Sequence, residues 1–215
     1  MFDDIRPYRD HEVVEVIQKL INEQGLQISI ASFAMPKFYN LFPRLCLALV
    51  KFSLKLKVKK FTNIMSIQLE IARYMDSLIA KSTDGFSYNG LAKLDMNKPV
   101  LFISNHRDII LDAALVNLAL FKNGGSTVEA AVGDNLLRKP WVADLLRLNK
   151  CFIVKRSEKT KRAMLTASKN LSAYIHHAIT ENQQNIWIAQ REGRAKDGID
   201  KTNTAIISML MLNKD

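Results

Sequence analysis

The sequence predicts an α/β fold: a mainly parallel or mixed sheet flanked by helices, with an N-terminal helical region ahead of it. Three observations carry this prediction. Apolar residues near the start recur at helical spacing, short apolar runs beyond residue 98 alternate with helical segments, and a turn-rich stretch separates the two regimes. A chain of 215 residues that is 48% hydrophobic and 24% charged is long enough to bury such a core.

From residue 12 to 23, Val13, Val14, Ile17, Leu20 and Ile21 fall at helical spacing and predict an amphipathic helix. The following apolar stretch, 26–80, reads as helical in pieces, broken near Pro36 and Pro43. Within it, "RLCLALVKFSLKLKVKK" (44–60) carries six basic residues and no acidic one. Its apolar residues Phe52, Leu54, Leu56 and Val58 alternate with period two, so helix and strand both remain open. Its basic side chains fit either a solvated face or a surface lying among anionic lipid headgroups. "STDGFSYNG" (82–90) is turn-rich and marks the expected boundary between an N-terminal basic-apolar region, 1–85, and a second domain, 86–215. Beyond it "KPVLFIS", "STVEAAVGD", "KCFIVKR" and "NIWIAQ" read as strands. The helices expected between them are "DAALVNLALF", "KPWVADLLRL" and a long one through Met164, Leu165, Leu171, Ile175 and Ile179.

A net charge of +10 implies anionic partners: nucleic acid, phospholipid headgroups, or a phosphorylated or acidic substrate. No aromatic stacking motif or helix-turn-helix pattern supports nucleic acid, and none is expected as a partner. The four histidines and two cysteines are scattered, so no metal site is expected. Cys46 and Cys151 lie far apart, as in a reducing compartment. The sequence has neither a signal-peptide core nor an apolar run long enough to span a bilayer, so a cytoplasmic protein without a transmembrane helix is expected. Glycine-rich nucleotide fingerprints and the G-x-S-x-G nucleophile elbow are also missing.

Parallel sheets bind ligands beyond the carboxyl ends of their strands. Three of the four predicted strands end there in reactive or anion-binding residues. "SNHRDIILD" supplies His106, Arg107, Asp108 and Asp112; "VKRSEKTKR" supplies Lys155 and Arg156; "REGRAKDG" supplies Arg191, Glu192, Arg194 and Lys196. An imidazole takes a proton near neutral pH, a carboxylate on its other nitrogen fixes the tautomer, and arginines clamp phosphate bidentately. Together they would activate a hydroxyl on a phosphorylated small molecule.

In order and character these three clusters resemble the signature blocks of the glycerol-3-phosphate and 1-acylglycerol-3-phosphate acyltransferase superfamily, over residues 101–198. The resemblance implies a glycerolphosphate acyltransferase-like fold. It also implies acyl transfer from acyl-CoA or acyl carrier protein to a hydroxyl of glycerol-3-phosphate or a lysophospholipid, with no metal or prosthetic group. His106 would be the general base and Asp112 or Asp108 its partner. Five residues separate His106 from Asp112 where the family has four, and the apolar run that follows favours Asp112. Arg156, Arg194 and Lys196 would hold the acceptor phosphate in a Glu-Gly-Arg-type site with Glu192 and Gly193, while Arg107 and Lys155 complete the substrate-binding set. Arg107 and the "KR" pair resemble the glycerol-3-phosphate branch more than the lysophosphatidate branch. A fourth block of the family would follow "ISMLMLNKD", so the domain is expected to be incomplete at its C-terminus. The implied partners are the acyl thioester, the acceptor and an anionic membrane surface on the cytoplasmic side of the inner membrane. A non-catalytic peripheral protein that binds anionic headgroups is the alternative reading.

Overall fold

A computed structural model describes residues 1–197, 199 and 201–213. Gly198, at the end of the third motif, lies outside the described residues. The elements in chain order are α1 (Asp10–Asn22), α2 (Gln24–Ala34), α3 (Pro36–Leu41), α4 (Pro43–Lys57), α5 (Ile64–Ser82), β1 (Leu101–Ser104), α6 (Leu111–Lys122), β2 (Val128–Gly133), α7 (Pro140–Leu148), β3 (Cys151–Val154), α8 (Lys161–Thr180), β4 (Asn185–Ala189) and α9 (Thr204–Leu210). The chain divides into two compact units, one made of Met1–Pro7, Glu70–Leu136 and Lys150–Asp215, the other of Tyr8–Leu69 and Leu137–Asn149.

The first unit is α/β. All four strands run parallel, in the order β1-β4-β2-β3, with Leu101 opposite Ile186, Ala130 opposite Trp187 and Gly133 opposite Val154. Because the strands are parallel, their carboxyl ends at Ser104, Ala189, Gly133 and Val154 share one edge of the sheet. Central β4 is buried throughout, which suits its unbroken apolar run. On one face, Tyr174 and Ile175 of α8 and Met209 of α9 pack with Phe152, Ile186 and Ile188 of the sheet. Phe2 and Ile5 join the same cluster, and the Ile5 carbonyl accepts from the Ile153 N–H, which pairs part of the outer edge of β3.

The second unit is helical. Val13, Val16, Ile17, Leu20 and Ile21 of α1 pack with Leu26 and with Leu148 of α7. Asp10 and Glu12 lie in the first turn of α1 and Lys19 in its last, as the helix dipole favours. Pro36 and Pro43 each occupy the first turn of a helix, where a missing N–H costs nothing, so the apolar stretch breaks where the sequence predicts. Residues 44–57 are helical despite the period-two alternation. Cys46, Val50 and Leu54 pack inward at steps of four, while Leu45, Leu49, Phe52 and Leu56 form an exposed stripe. Apolar residues on two faces of one helix mimic a strand pattern. Among the described residues, no helix is long and apolar enough to cross a membrane.

Candidate active site

β1 delivers His106 two residues past its end, beside the carboxyl end of β4. The loop between β1 and α6 is organised by two carboxylates with different partners. Oδ1 of Asp108 accepts from the N–H groups of Ile110 and Leu111, both at 2.8 Å, and so folds the turn into α6. These two donors, Leu111 first and Ile110 second, hold the Asp108 carboxyl below its ordinary range against a slight loss of hydration. Asp112, in the first turn of α6, points back: its Oδ2 lies 2.9 Å from Nδ1 of His106 and accepts from the N–H groups of Arg107 at 2.7 Å and Asp108 at 3.1 Å. Of the two candidate aspartates, Asp112 is therefore the one within hydrogen-bond distance of the histidine. Asp108 instead shapes the turn into α6, and across that turn Asp112 reaches the histidine over a five-residue gap.

An ionised carboxylate only accepts, so the pairing puts the proton on Nδ1 and makes Nε2 the basic nitrogen of His106. The ring stands edge-on to Trp187 of β4, with centroids 6.0 Å apart, and the Trp187 indole N–H donates to Ser104 Oγ at 3.0 Å. The loop after β4 is tied to the same place. Ala195 N–H donates to the His106 carbonyl at 2.7 Å, and the Gln190 side chain bridges Asn105 and Thr202, at 2.9 Å each. Between Glu192 and Arg194, Gly193 has φ of 75°, a left-handed conformation that disfavours any side chain.

A cavity of about 490 Å³ opens at this edge. Its polar end is lined by His106, Lys155, Arg156, Glu192, Gly193 and Arg194, and its apolar wall includes Met164, Leu171, Ile188, Ile206 and Met209. Six of the residues singled out in the sequence thus line one cavity, and Asp112 stands behind the histidine. Arg107 and Lys196 are exposed and are not among its lining residues. The Lys155 amine donates to Asp4 at 2.5 Å, and Arg156 Nη1 lies 3.4 Å from Glu192 Oε1. Among the described residues no cluster of His, Cys, Asp or Glu could hold a metal ion. Cys151 is inward-facing, and burial pushes its thiol up to about 12, which leaves it unsuited to nucleophilic work.

The sequence reading passed over the end of β2. There Asp134 accepts from Arg156 N–H at 3.1 Å, Ser157 N–H at 3.2 Å and Ser157 Oγ at 2.5 Å. Partial burial opposes its charge, yet the hydrogen bonds from Ser157 and from the N–H groups of Arg156 and Asn135 hold the Asp134 carboxyl below its ordinary value. The signal was present in "AVGD", a polar residue at the end of the second strand, but a single acid is a weak mark.

A sequence model of a family described as Acyltransferase matches residues 85–203, more than half of the chain and all three motif clusters. A search of curated proteins returns no match.

Proposed function

The chain belongs to the acyltransferase family, and on that premise we propose that it moves a fatty acyl group from acyl-CoA or acyl carrier protein to a hydroxyl of glycerol-3-phosphate or lysophosphatidate in phospholipid synthesis. One observation carries the reading: a histidine backed by a carboxylate and two arginines line the polar end of a cavity whose other wall is apolar. A phosphorylated alcohol suits the first end and an acyl chain the second.

In this reaction Nε2 of His106 takes the acceptor's hydroxyl proton as the oxygen attacks the thioester carbonyl. Asp112 orients the ring and stabilises the imidazolium. The tetrahedral intermediate expels the thiolate, which recovers the proton from His106, giving an ester and a free thiol without an acyl-enzyme. Arg156 and Arg194 hold the acceptor phosphate and fix the hydroxyl near the base. Lys196 and Arg107, both exposed, add to the positive field at the mouth, Lys155 backs the cavity beside Asp4, and Glu192 positions Arg156. The mechanism calls on no metal or prosthetic group.

The exposed stripe on α4 supports a further part of the proposal, docking on the cytoplasmic side of the inner membrane. Leu45, Leu49, Phe52 and Leu56 are each at least 46% exposed, and no acidic residue occurs from 24 to 69, against seven basic ones. Such a face lies in the headgroup layer of an anionic membrane, where each Lys or Arg contributes about 1 kcal/mol. The same stripe favours the second reading, a non-catalytic lipid-binding protein.

Radiolabelled acyl donor offered in parallel with glycerol-3-phosphate and with lysophosphatidate tests the enzyme reading and separates the two acceptors. Transfer to one of them that is lost in His106→Ala supports it. Transfer to neither, or transfer that survives His106→Ala, refutes it, and retained lipid binding would then favour the second reading. Sedimentation with anionic liposomes that is unchanged after neutralising Lys51, Lys55, Lys57, Lys59 and Lys60 would refute docking.

A further inference from the structure

In the sheet order β1-β4-β2-β3, Arg156 follows β3 at one edge while Glu192 and Arg194 follow β4. The end of β2 lies between them, so the Arg156 side chain has to cross the end of β2 to meet the groups that follow β4. Three contacts describe how Arg156 does so. Its backbone N–H is held by Asp134, the residue after β2. Its side-chain stem lies over Gly133, the last residue of β2: a Cβ added there would stand 3.3 Å from both Cδ and Nε of Arg156. Its head meets Glu192, with Nη1 and Oε1 3.4 Å apart.

We infer that Gly133 and Asp134 are positioning residues for Arg156: Asp134 anchors the loop that carries it, and Gly133 leaves the channel through which its side chain crosses β2. The inference rests on the reading that Arg156 holds the acceptor phosphate, but the positioning itself is a matter of geometry. Gly133 has an ordinary backbone conformation, so space is what requires glycine there. A Cβ would also come within 2.4 Å of Asn135 Oδ1, but that amide is the free end of a side chain and turns aside easily, whereas the Arg156 stem is held at both ends. Asp134 binds through the backbone of both 156 and 157 and through the Ser157 hydroxyl, so it fixes the loop rather than one rotamer. A guanidinium fork recognises phosphate only when its plane is correctly aimed, and a shift of a few tenths of an ångström at the stem grows toward the head.

The test separates geometry from substrate. With ¹⁵N-labelled arginine in the full chain, the Arg156 Nε–H resonance, assigned by its loss in Arg156→Lys, reports the order of the guanidinium. Asp134→Asn and Gly133→Ala are expected to move it toward the position of free arginine. Ser157→Ala, at an exposed hydroxyl, is expected to do so in smaller measure with β2 untouched. A resonance unmoved in all three variants overturns the inference. In kinetics, Asp134→Asn is expected to raise the acceptor KM on the order of tenfold, leaving donor KM and kcat nearly unchanged and adding nothing in an Arg156→Ala background. An equal rise in that background overturns the inference. An acceptor KM unmoved by Arg156→Ala itself overturns the phosphate-holding reading instead, and the resonance still decides the positioning.

Discussion

The two aspartates after His106 make separable predictions. In Asp112→Asn the amide oxygen can still accept from the Arg107 and Asp108 N–H groups, so the loop survives while the negative charge beside Nδ1 is lost. The His106 and Asp112 side chains are each only 18% exposed, so solvent screens their interaction weakly. A charge-assisted hydrogen bond of this kind is worth about 1.5–3 kcal/mol. At 1.36 kcal/mol per factor of ten, kcat falls by about one to two orders of magnitude with little change in melting temperature. Asp108→Ala removes acceptance from Ile110 and Leu111 and leaves the His106 pair intact. Loss of such a cap costs about 1 kcal/mol, or about 2–4 °C in a chain of this size, with kcat preserved. Saturating-substrate kinetics and thermal melts on the two variants and the wild type make the comparison. A kcat loss in Asp108→Ala as large as in Asp112→Asn would refute the assignment.

Further outcomes follow from the same geometry. The Asp134 carboxyl is held below its unfolded value, so its stabilisation is present above about pH 3.9 and disappears as pH falls through the lower folded value. Urea titrations should therefore show Asp134→Asn less stable than wild type at pH 7, with the difference shrinking as pH falls below about 3.9. Cys46 and Cys151 are inaccessible, so a thiol-specific chromophoric reagent at pH 8 should label neither in the native protein and both in denaturant; rapid native labelling would contradict the packing. Phe152 is fully buried between the sheet and α8, and Phe152→Ala should cost about 3–5 kcal/mol, seen as a melting temperature lower by about 10 °C.

What the sequence disclosed and what it hid follow physical lines. The α/β class was readable because a period-two or continuous apolar run and a 3.6-residue period are local properties, and each predicted strand of the second half forms. His106, Arg156, Glu192 and Arg194 were readable because parallel strands deliver their junctions to one edge. Strand order was not, since β4 inserts between β1 and β2 through contacts remote in sequence. For that reason the role of the β2 end stayed hidden: Gly133 and Asp134 acquire meaning only once β2 is known to lie between β3 and β4. The state of residues 44–57 was ambiguous because α4 is apolar both where it packs and where it is exposed.

Two cations of the cavity, Lys155 and Arg156, are each held by a carboxylate, and the carboxylates differ in how readily they let go. Lys155 is paired with Asp4, Arg156 with Glu192 at its head and Asp134 at its backbone. Without these partners, clustered positive groups would repel one another in the absence of substrate. The pair at the head is weak: Glu192 is 74% exposed, the distance is 3.4 Å, and an exposed pair of this kind is worth at most about 1 kcal/mol. A phosphate dianion, which offers more oxygens and more charge, displaces Glu192 at that small cost. The hold on the backbone is of another kind, three hydrogen bonds on one carboxylate, and an anion bound to the guanidinium does not compete with it. Arg156 can therefore exchange its partner at the head while keeping its place at the root. That separation lets a cation from the outermost strand work beside the groups that follow β4, loosely neutralised before the acceptor arrives and still aimed afterwards.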